Sequence, residues 1–222
     1  MKNGANQKTV WDLNIDPAIH AIQKAPWESK EFYRLFVSQI YHFVRYSTRM
    51  LAAAAASTEN AAYYKRLIEH LREESGHEKL ALADLKRAGG EIEAYPELGM
   101  TRALWEPQFY KVQKNPGALL GYILALEMIA VNGYPPLMEK LTKLYGREAV
   151  NFIRVHAEED PDHVDKAIAQ IESLPDAERM EVKKNFEQTC AVLLHLVADI
   201  VSESAAREKP HQTRIPNLRR SA

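Results

Sequence analysis

The amino-acid sequence predicts an all-α protein, a compact bundle of long helices with short loops that forms one domain. Apolar residues recur at helical spacing along most of the chain, and no stretch alternates with the two-residue period of a half-buried strand. Glycine is scarce, with 9 residues among 222, and most of it lies between the periodic segments. A chain of this length is sufficient for one domain with a substantial core.

The helices can be placed in order from the periodic segments and from the residues that begin and end helices. The first is predicted from about Glu28 to Ala56, and the second from about Asn60 to Ala88, where Gly89 and Gly90 end it. Four more are predicted at about 101–114, 116–145, 147–174 and 175–207, with prolines as disturbances in the first three. The predicted divisions are an N-terminal arm at 1–27, a single helical bundle domain at 28–207 and a basic flexible tail at 208–222.

Composition indicates which binding partners and which cellular location to expect. The net charge of −1 gives no strong attraction to nucleic acid or to an anionic membrane. The apolar run at 117–131 is short for a bilayer span and is interrupted by Glu127, so it predicts a buried helix. A single cysteine, Cys190, excludes an intrachain disulfide, and the N-terminus lacks the apolar core of a signal peptide. We expect a cytoplasmic protein with neither a nucleic-acid nor a membrane partner.

Glu127 is the first residue that points to chemistry. It stands within GALLGYILALEMIAV, where its neighbours are apolar or glycine, so the helix that carries it should be buried all round. An isolated buried carboxylate is costly, and it must therefore be protonated, paired or bound to a metal. Pairing with a buried Arg or Lys would explain Glu127 as well as a metal would.

A second group lies on one face of the second predicted helix. His70, Glu74 and His77 follow steps of four and three along a face that is apolar at both ends. Glu74 and His77 form Glu-x-x-His, the spacing by which metal-binding carboxylate bundles direct two ligands inward from one helix. Glu73 is a competing first ligand, one turn from His77 but off the face. The alternative is that this charged stretch is solvated.

The third group is His156, Asp160 and His163 in the segment HAEEDPDH. Their spacing of four and three places them on one helix face, and imidazole with carboxylate oxygen suits iron, manganese or zinc. Pro161 within the group indicates a local distortion or a break between two helices. A surface helix with incidental histidines is the alternative.

Together the three groups offer three carboxylates and three imidazoles, Glu74, His77, Glu127, His156, Asp160 and His163. A single zinc site needs only about four protein ligands, so this number favours two metal ions. The absence of cysteine from the set argues against a structural zinc or an iron–sulfur site.

With these motifs the sequence resembles the heme-oxygenase-like di-iron oxidases and oxygenases, whose fold is shared with heme oxygenase, the TenA thiaminases and PqqC. The resemblance covers roughly Tyr33 to Ala167, and its most specific part is His-x-x-x-Asp-x-x-His, here His156, Asp160 and His163. The central glutamate of the family matches Glu127, and its first ligand pair looks like Glu74 and His77.

The resemblance implies a heme oxygenase-like bundle of about seven helices that holds two iron ions and uses O2 as co-substrate. Manganese–iron or two manganese ions fit the same ligands. It also implies oxidation of a small substrate that often bears an amine or a carboxylate, a homodimer, and an external electron donor as a compatible further partner.

A polar stripe on the first predicted helix is the predicted substrate wall. Gln39, His42, Tyr46 and Arg49 share a face, and an inward Arg49 could hold a substrate carboxylate through paired hydrogen bonds. The alternative is an exposed face.

Three other functions remain open. A true heme oxygenase could use His42 as the axial ligand, but the residues after Glu127 are not the glycines that a distal heme helix needs. A metal-free relative of the TenA or PqqC kind would direct attention to Cys190 as a nucleophile, although a small core residue explains it more simply. A non-enzymatic protein of this fold would have no need of the ligand set.

Overall fold

The computed structural model describes residues 14–209, except the side chains of 159–162, and in this part of the chain it has helices but no strand. The α-helices are α1 (Asp16–Gln23), α2 (Lys30–Val44), α3 (Ser47–Ser57), α4 (Ala61–Glu73), α5 (His77–Arg87), α6 (Gly99–Lys114), α7 (Leu119–Gly133), α8 (Met138–Tyr145), α9 (Asn151–Glu172) and α10 (Asp176–Glu208). The predicted all-α bundle is confirmed. The predicted basic tail lies, apart from residues 208 and 209, outside the described residues.

Two helices that were predicted as continuous are each divided. The first is interrupted at Arg45 and Tyr46 between α2 and α3. The second is interrupted at Gly76, whose φ of +99° is a left-handed conformation that glycine adopts without steric cost. Glu74 is therefore the C-cap of α4, whereas His77 begins α5. The pair reaches one site from two helices rather than from one continuous face.

The predicted N-terminal arm is also corrected, because residues 16–23 form α1. Its residues Ala18, Ile19 and Ile22 are buried, and the helix packs against α7 and α10. Trp27 is fully buried, and its indole N–H donates to the Ile22 carbonyl oxygen at 2.7 Å. Burial of an aromatic ring and an isoleucine pair stabilises this segment against the bundle. Residues 1–13 of the predicted arm lie outside the described residues.

The central helix α7 packs against α9 and α10. It crosses α10 at Gly121, where an added Cβ would lie 2.1 Å from the Val182 carbonyl oxygen and 2.7 Å from the Phe186 nitrogen. Only a residue without a side chain permits so close an approach.

Two described stretches are long and apolar enough to span a bilayer, Pro116–Tyr145 and Asp176–Glu208. In the first, 78% of the most apolar window is buried inside the bundle, as in a core helix.

Asp84 fixes the start of α9. This fully buried carboxylate on α5 accepts a hydrogen bond from the Phe152 backbone N–H at 2.7 Å. Burial raises the pKa of Asp84 to about 6, although hydrogen bonds from the Phe152 and Asn151 backbones act in the opposite direction. Because α9 continues from Asn151 to Glu172, the predicted helix through Pro161 is unbroken. Asp84 thus anchors the helix that carries His156 and His163.

Candidate metal centre

The ends of α4 and α5 and the middle parts of α7 and α9 bring the predicted ligand side chains together. His70 and Glu74 come from α4 and its C-cap, His77 from the first residue of α5, Glu127 from α7, and His156 and His163 from α9. The structure therefore places five of the six predicted ligands, together with His70, in one buried cluster, as the distances below show.

One half of the cluster is built from His70, Glu74 and His163. Each offers one donor atom, and these atoms all lie within 4.8 Å of one another. His70 Nε2 is 3.7 Å from Glu74 Oε1, and the His70 and His163 ring centroids are 5.5 Å apart. Three donors at this separation can converge on a single ion.

The other half consists of Glu74, His77 and His156, whose donor atoms also lie within 4.8 Å of one another. Glu74 Oε1 is 3.6 Å from His77 Nδ1, and the His77 and His156 rings meet edge to face at 4.7 Å between centroids. Glu74 belongs to both groups. A carboxylate has two oxygens and can serve two ions, so the shared glutamate is the natural bridge between two metal positions.

Glu127 extends the first half. Its Oε1 is 3.6 Å from His70 Nε2 and 4.0 Å from His163 Nδ1, and the residue is 6% exposed. The sequence left open whether Glu127 is paired with a buried Arg or Lys. Its position between the His70 and His163 imidazoles is the arrangement expected of a ligand in a group of donors.

His156 is oriented by its own helix. Its Nδ1 lies 2.8 Å from the Phe152 carbonyl oxygen, and the two rings stack with centroids 3.9 Å apart. A carbonyl oxygen only accepts, so the proton is on Nδ1, and the Nε2 lone pair of the neutral ring is left for a metal. The ring is thus held in a ligand orientation by contacts that require no ion.

Glu74 is held as a carboxylate. Burial acts to raise its pKa, but the nearby imidazoles of His70, His77 and His156 outweigh burial, so the pKa lies well below the usual range. Metal ligands of this kind must be deprotonated, and Glu74 meets this requirement.

Glu73 plays a different part from its neighbour. It is partly exposed and pairs with Arg66 at 2.8 Å and with Lys166 at 3.5 Å, while its Oε2 is 3.5 Å from His163 Nε2. Its charge is offset by two cations at the edge of the cluster. Of the two glutamates that the sequence offered as first ligand, Glu74 is therefore the better placed.

The structure adds one donor and leaves one undescribed. His70 was recognised from the sequence on the inward face, but it was left out of the predicted ligand set. Its spacing of four from Glu74 was the signal that could have included it. The side chain of Asp160 lies outside the described residues, so its role as a ligand stays a prediction.

The predicted substrate wall is corrected for three of its four residues. Gln39 lines the cavity described below, but its amide bonds the backbone of Pro96 and Leu98 at 3.1 and 2.9 Å. His42 faces the same segment, with Nε2 2.8 Å from the Tyr95 carbonyl oxygen.

Tyr46 stacks on Trp105 at 3.6 Å, and Arg49 is exposed beside the Tyr46 ring. The stripe of polar residues mainly fastens α2 and α3 to residues 95–105, and the predicted Arg49 clamp has no place in the cavity wall.

An open cavity adjoins the cluster. Residues of α1, α2, α3, α7 and α10 form most of its wall, and His70, Glu74, Glu127 and His156 form its polar end. The remaining wall is largely aliphatic and aromatic, from Phe36 and Ile40 on α2 to Leu196 and Ile200 on α10. A mostly apolar cavity that ends at a few convergent polar groups is typical of a small-molecule site.

Comparison with known proteins agrees with this architecture. Residues 34–194 match the sequence pattern of a family described as iron-containing redox enzymes. Among solved structures, the chain is similar to a domain of unknown function with a heme oxygenase-like fold from Shewanella denitrificans, at 19% identity and a TM-score of 0.76, with 87% of each chain covered. That likeness shows the fold and confirms the predicted heme oxygenase-like class. The search of curated proteins found no match.

Proposed function

This chain belongs to the family of iron-containing redox enzymes, and we propose that it is a non-heme di-iron oxidase or oxygenase that uses O2 to oxidise a small organic substrate. The observation that carries the proposal is the position of Glu74, which is shared by two adjacent groups of donors. A site for one ion would need only one of these groups.

The donor set fits two ferrous ions in charge and chemistry. Glu74, Glu127 and the predicted ligand Asp160 would offset three of their four positive charges, and neutral imidazoles would complete the coordination. Bound iron would supply the electrons needed to activate O2. The same ligands fit manganese–iron and two manganese ions.

The described residues contribute orientation and exclusion of water. The Phe152 carbonyl oxygen holds the Nδ1 proton of His156, so that Nε2 faces the cluster. Asp84 fixes the first turn of α9, which sets the height of both α9 histidines. The apolar wall keeps water from the substrate and strengthens the electrostatic interactions at the polar end.

The alternative is a heme-binding or metal-free enzyme of the same fold, and the structure favours it less. His42, the candidate axial ligand, is occupied by the Tyr95 carbonyl oxygen and is not part of the cavity wall. Burial raises the pKa of the Cys190 thiol to about 12, which opposes a role as nucleophile.

Anaerobic loading of the metal-free protein with ferrous iron tests the proposal. We expect about two iron ions per chain in the native sequence and a clear loss in Glu74→Gln, because a shared carboxylate affects both ions. Glu73→Gln is the matched control, a neighbouring glutamate whose main partners are Arg66 and Lys166. Equal iron content in all three proteins, or no tight iron in any, would overturn the di-iron proposal in favour of the alternative.

The homodimer, the cytoplasmic location and an external electron donor stay predictions. Gel filtration with light scattering would check the first of them.

A further inference from the structure

The cavity wall contains few polar groups outside the metal centre. Gln39 is one, but its oxygen accepts from Leu98 and Thr101 and its nitrogen donates to Ser38 and Pro96. Among the residues that the structure describes, no Lys or Arg lines the cavity. A substrate carboxylate would therefore find no basic side chain in this part of the wall.

Tyr122 on α7 differs from Gln39. It is 3% exposed and lines the cavity, and its hydroxyl has no hydrogen-bond partner among the residues that the structure describes. Burial and the nearby Glu74 charge both raise the pKa of Tyr122, so the hydroxyl keeps its proton. A buried donor without a partner is costly and calls for an explanation, such as a ligand that accepts its hydrogen bond.

We propose that the cavity binds a largely apolar substrate with one acceptor oxygen that is not part of a carboxylate, and that this oxygen receives a hydrogen bond from the Tyr122 hydroxyl at the end of the cavity next to Glu74. The inference rests on the proposed function for its chemistry, since it places the polar end of the substrate beside the candidate metal centre. It replaces the carboxylate-bearing substrate that the sequence resemblance implied.

The charge of the metal-free site supports a head group other than a carboxylate. The wall places Glu74 and Glu127 at the polar end, and among the described residues it has no basic side chain to offset a substrate carboxylate. In the metal-free protein a carboxylate would lose its hydration and face two glutamates, whereas a ketone, aldehyde or ether oxygen needs only the phenolic donor.

Binding to the metal-free full-length chain tests the inference without dependence on iron. The probes are the methyl ketones from 2-hexanone to 2-decanone, measured by calorimetry, with octanoate as the anionic analogue. We expect Kd to fall about fourfold per added methylene, as burial in an apolar cavity requires, and octanoate to bind more weakly than 2-octanone. Absence of ketone binding, no dependence on chain length, or tighter binding of octanoate would overturn the proposal.

The Tyr122→Phe variant tests the donor. We expect it to weaken the binding of 2-octanone about threefold to tenfold, the range for one neutral hydrogen bond, and to leave the binding of 1-octene unchanged. Tyr63→Phe is the matched control, because this equally buried tyrosine already donates to the Pro116 carbonyl oxygen at 3.2 Å and does not line the cavity.

The two variants should also differ in thermal stability. The melting temperature of the metal-free protein should hold or rise in Tyr122→Phe, which removes an unpartnered hydroxyl, and fall by a few degrees in Tyr63→Phe. If Tyr122→Phe weakened the binding of 2-octanone and 1-octene equally, this would show a packing defect and refute the role of Tyr122 as hydrogen-bond donor. Iron loading without ketone binding would refute this inference alone, and ketone binding without iron would refute the di-iron proposal alone.

Discussion

Asp84 offers the sharpest test of how the bundle positions the candidate metal ligands of α9. Replacing it with alanine removes the acceptor of the Phe152 N–H and of the neighbouring Asn151 N–H at the start of α9. Both backbone groups would then lie at a buried helix N-terminus without a side-chain partner. We expect Asp84→Ala to destabilise the protein and to reduce iron binding, because α9 carries His156 and His163.

The size of the expected loss of stability in Asp84→Ala follows from these contacts. An N-cap is worth roughly 1 kcal/mol, and a buried backbone N–H left without a partner costs about 1–3 kcal/mol. Since the wild-type carboxylate is itself costly to bury, we expect a net loss of about 2–4 kcal/mol. In a chain of this length each kcal/mol lowers the melting temperature by about 2–4 °C, so the midpoint should fall by roughly 5–15 °C.

Asp84→Asn is the matched variant, since its amide oxygen can accept the same hydrogen bonds without a charge. Burial raises the pKa of Asp84 from 3.8 to about 6, so the folded state binds this proton more tightly than the unfolded state. The contribution of the group to stability is present below about pH 4 and is lost as pH rises to about 6, by at most about 3 kcal/mol. The advantage of Asp84→Asn over the native protein should therefore grow across this interval.

Urea unfolding at pH 4.5 and pH 7.5, with iron content measured in parallel, would decide the matter. The reasoning fails if Asp84→Ala lies within about 0.5 kcal/mol of the native protein at both pH values. It also fails if the native protein gains stability, relative to Asp84→Asn, as the pH rises.

Two further predictions concern the α7–α10 contact and the single cysteine. In urea unfolding, Gly121→Ala should lower the free energy of unfolding by about 3 kcal/mol or more, because its Cβ would overlap the Val182 and Phe186 backbones. Gly99→Ala, with open space at that position, should be neutral or slightly stabilising in the same measurement. At pH 7.5, Cys190 in the folded protein should react with iodoacetamide about a thousandfold more slowly than after unfolding, because burial raises its pKa to about 12; comparable rates would contradict its burial.

The sequence predicted the helices best where periodicity and end signals agree. The last helix was expected at 175–207 and is found at Asp176–Glu208, and the apolar surroundings of Glu127 correctly indicated burial. The break at Gly76 was missed because a lone glycine in a polar stretch is tolerated within helices as well as at their ends. Its backbone angle depends on how α4 and α5 pack, which local sequence does not reveal.

The side-chain roles were harder to predict because they depend on distant contacts. Gln39 and His42 do face inward, but they bond the backbone of Tyr95, Pro96 and Leu98, more than fifty residues away. Periodicity can show that a polar residue points inward; it cannot show whether a loop or a substrate meets it. Tyr122 gave no sequence signal, since a tyrosine in an apolar helix is ordinary, and only the position of its hydroxyl distinguishes it.

The contact at Gly121 has a consequence for substrate size. Beyond this crossing, α7 and α10 both continue as cavity walls, through residues such as Ile123 and Ala130 on one helix and Leu193 and Ile200 on the other. The close approach at Gly121 holds the two helices together at this end of the cavity, so we expect a larger residue there to move the two walls apart. Position 121 would not contact the substrate, yet it would affect the width of the cavity. Substitutions there and at the facing turn of α10 should therefore change the width of the substrate that the cavity accepts.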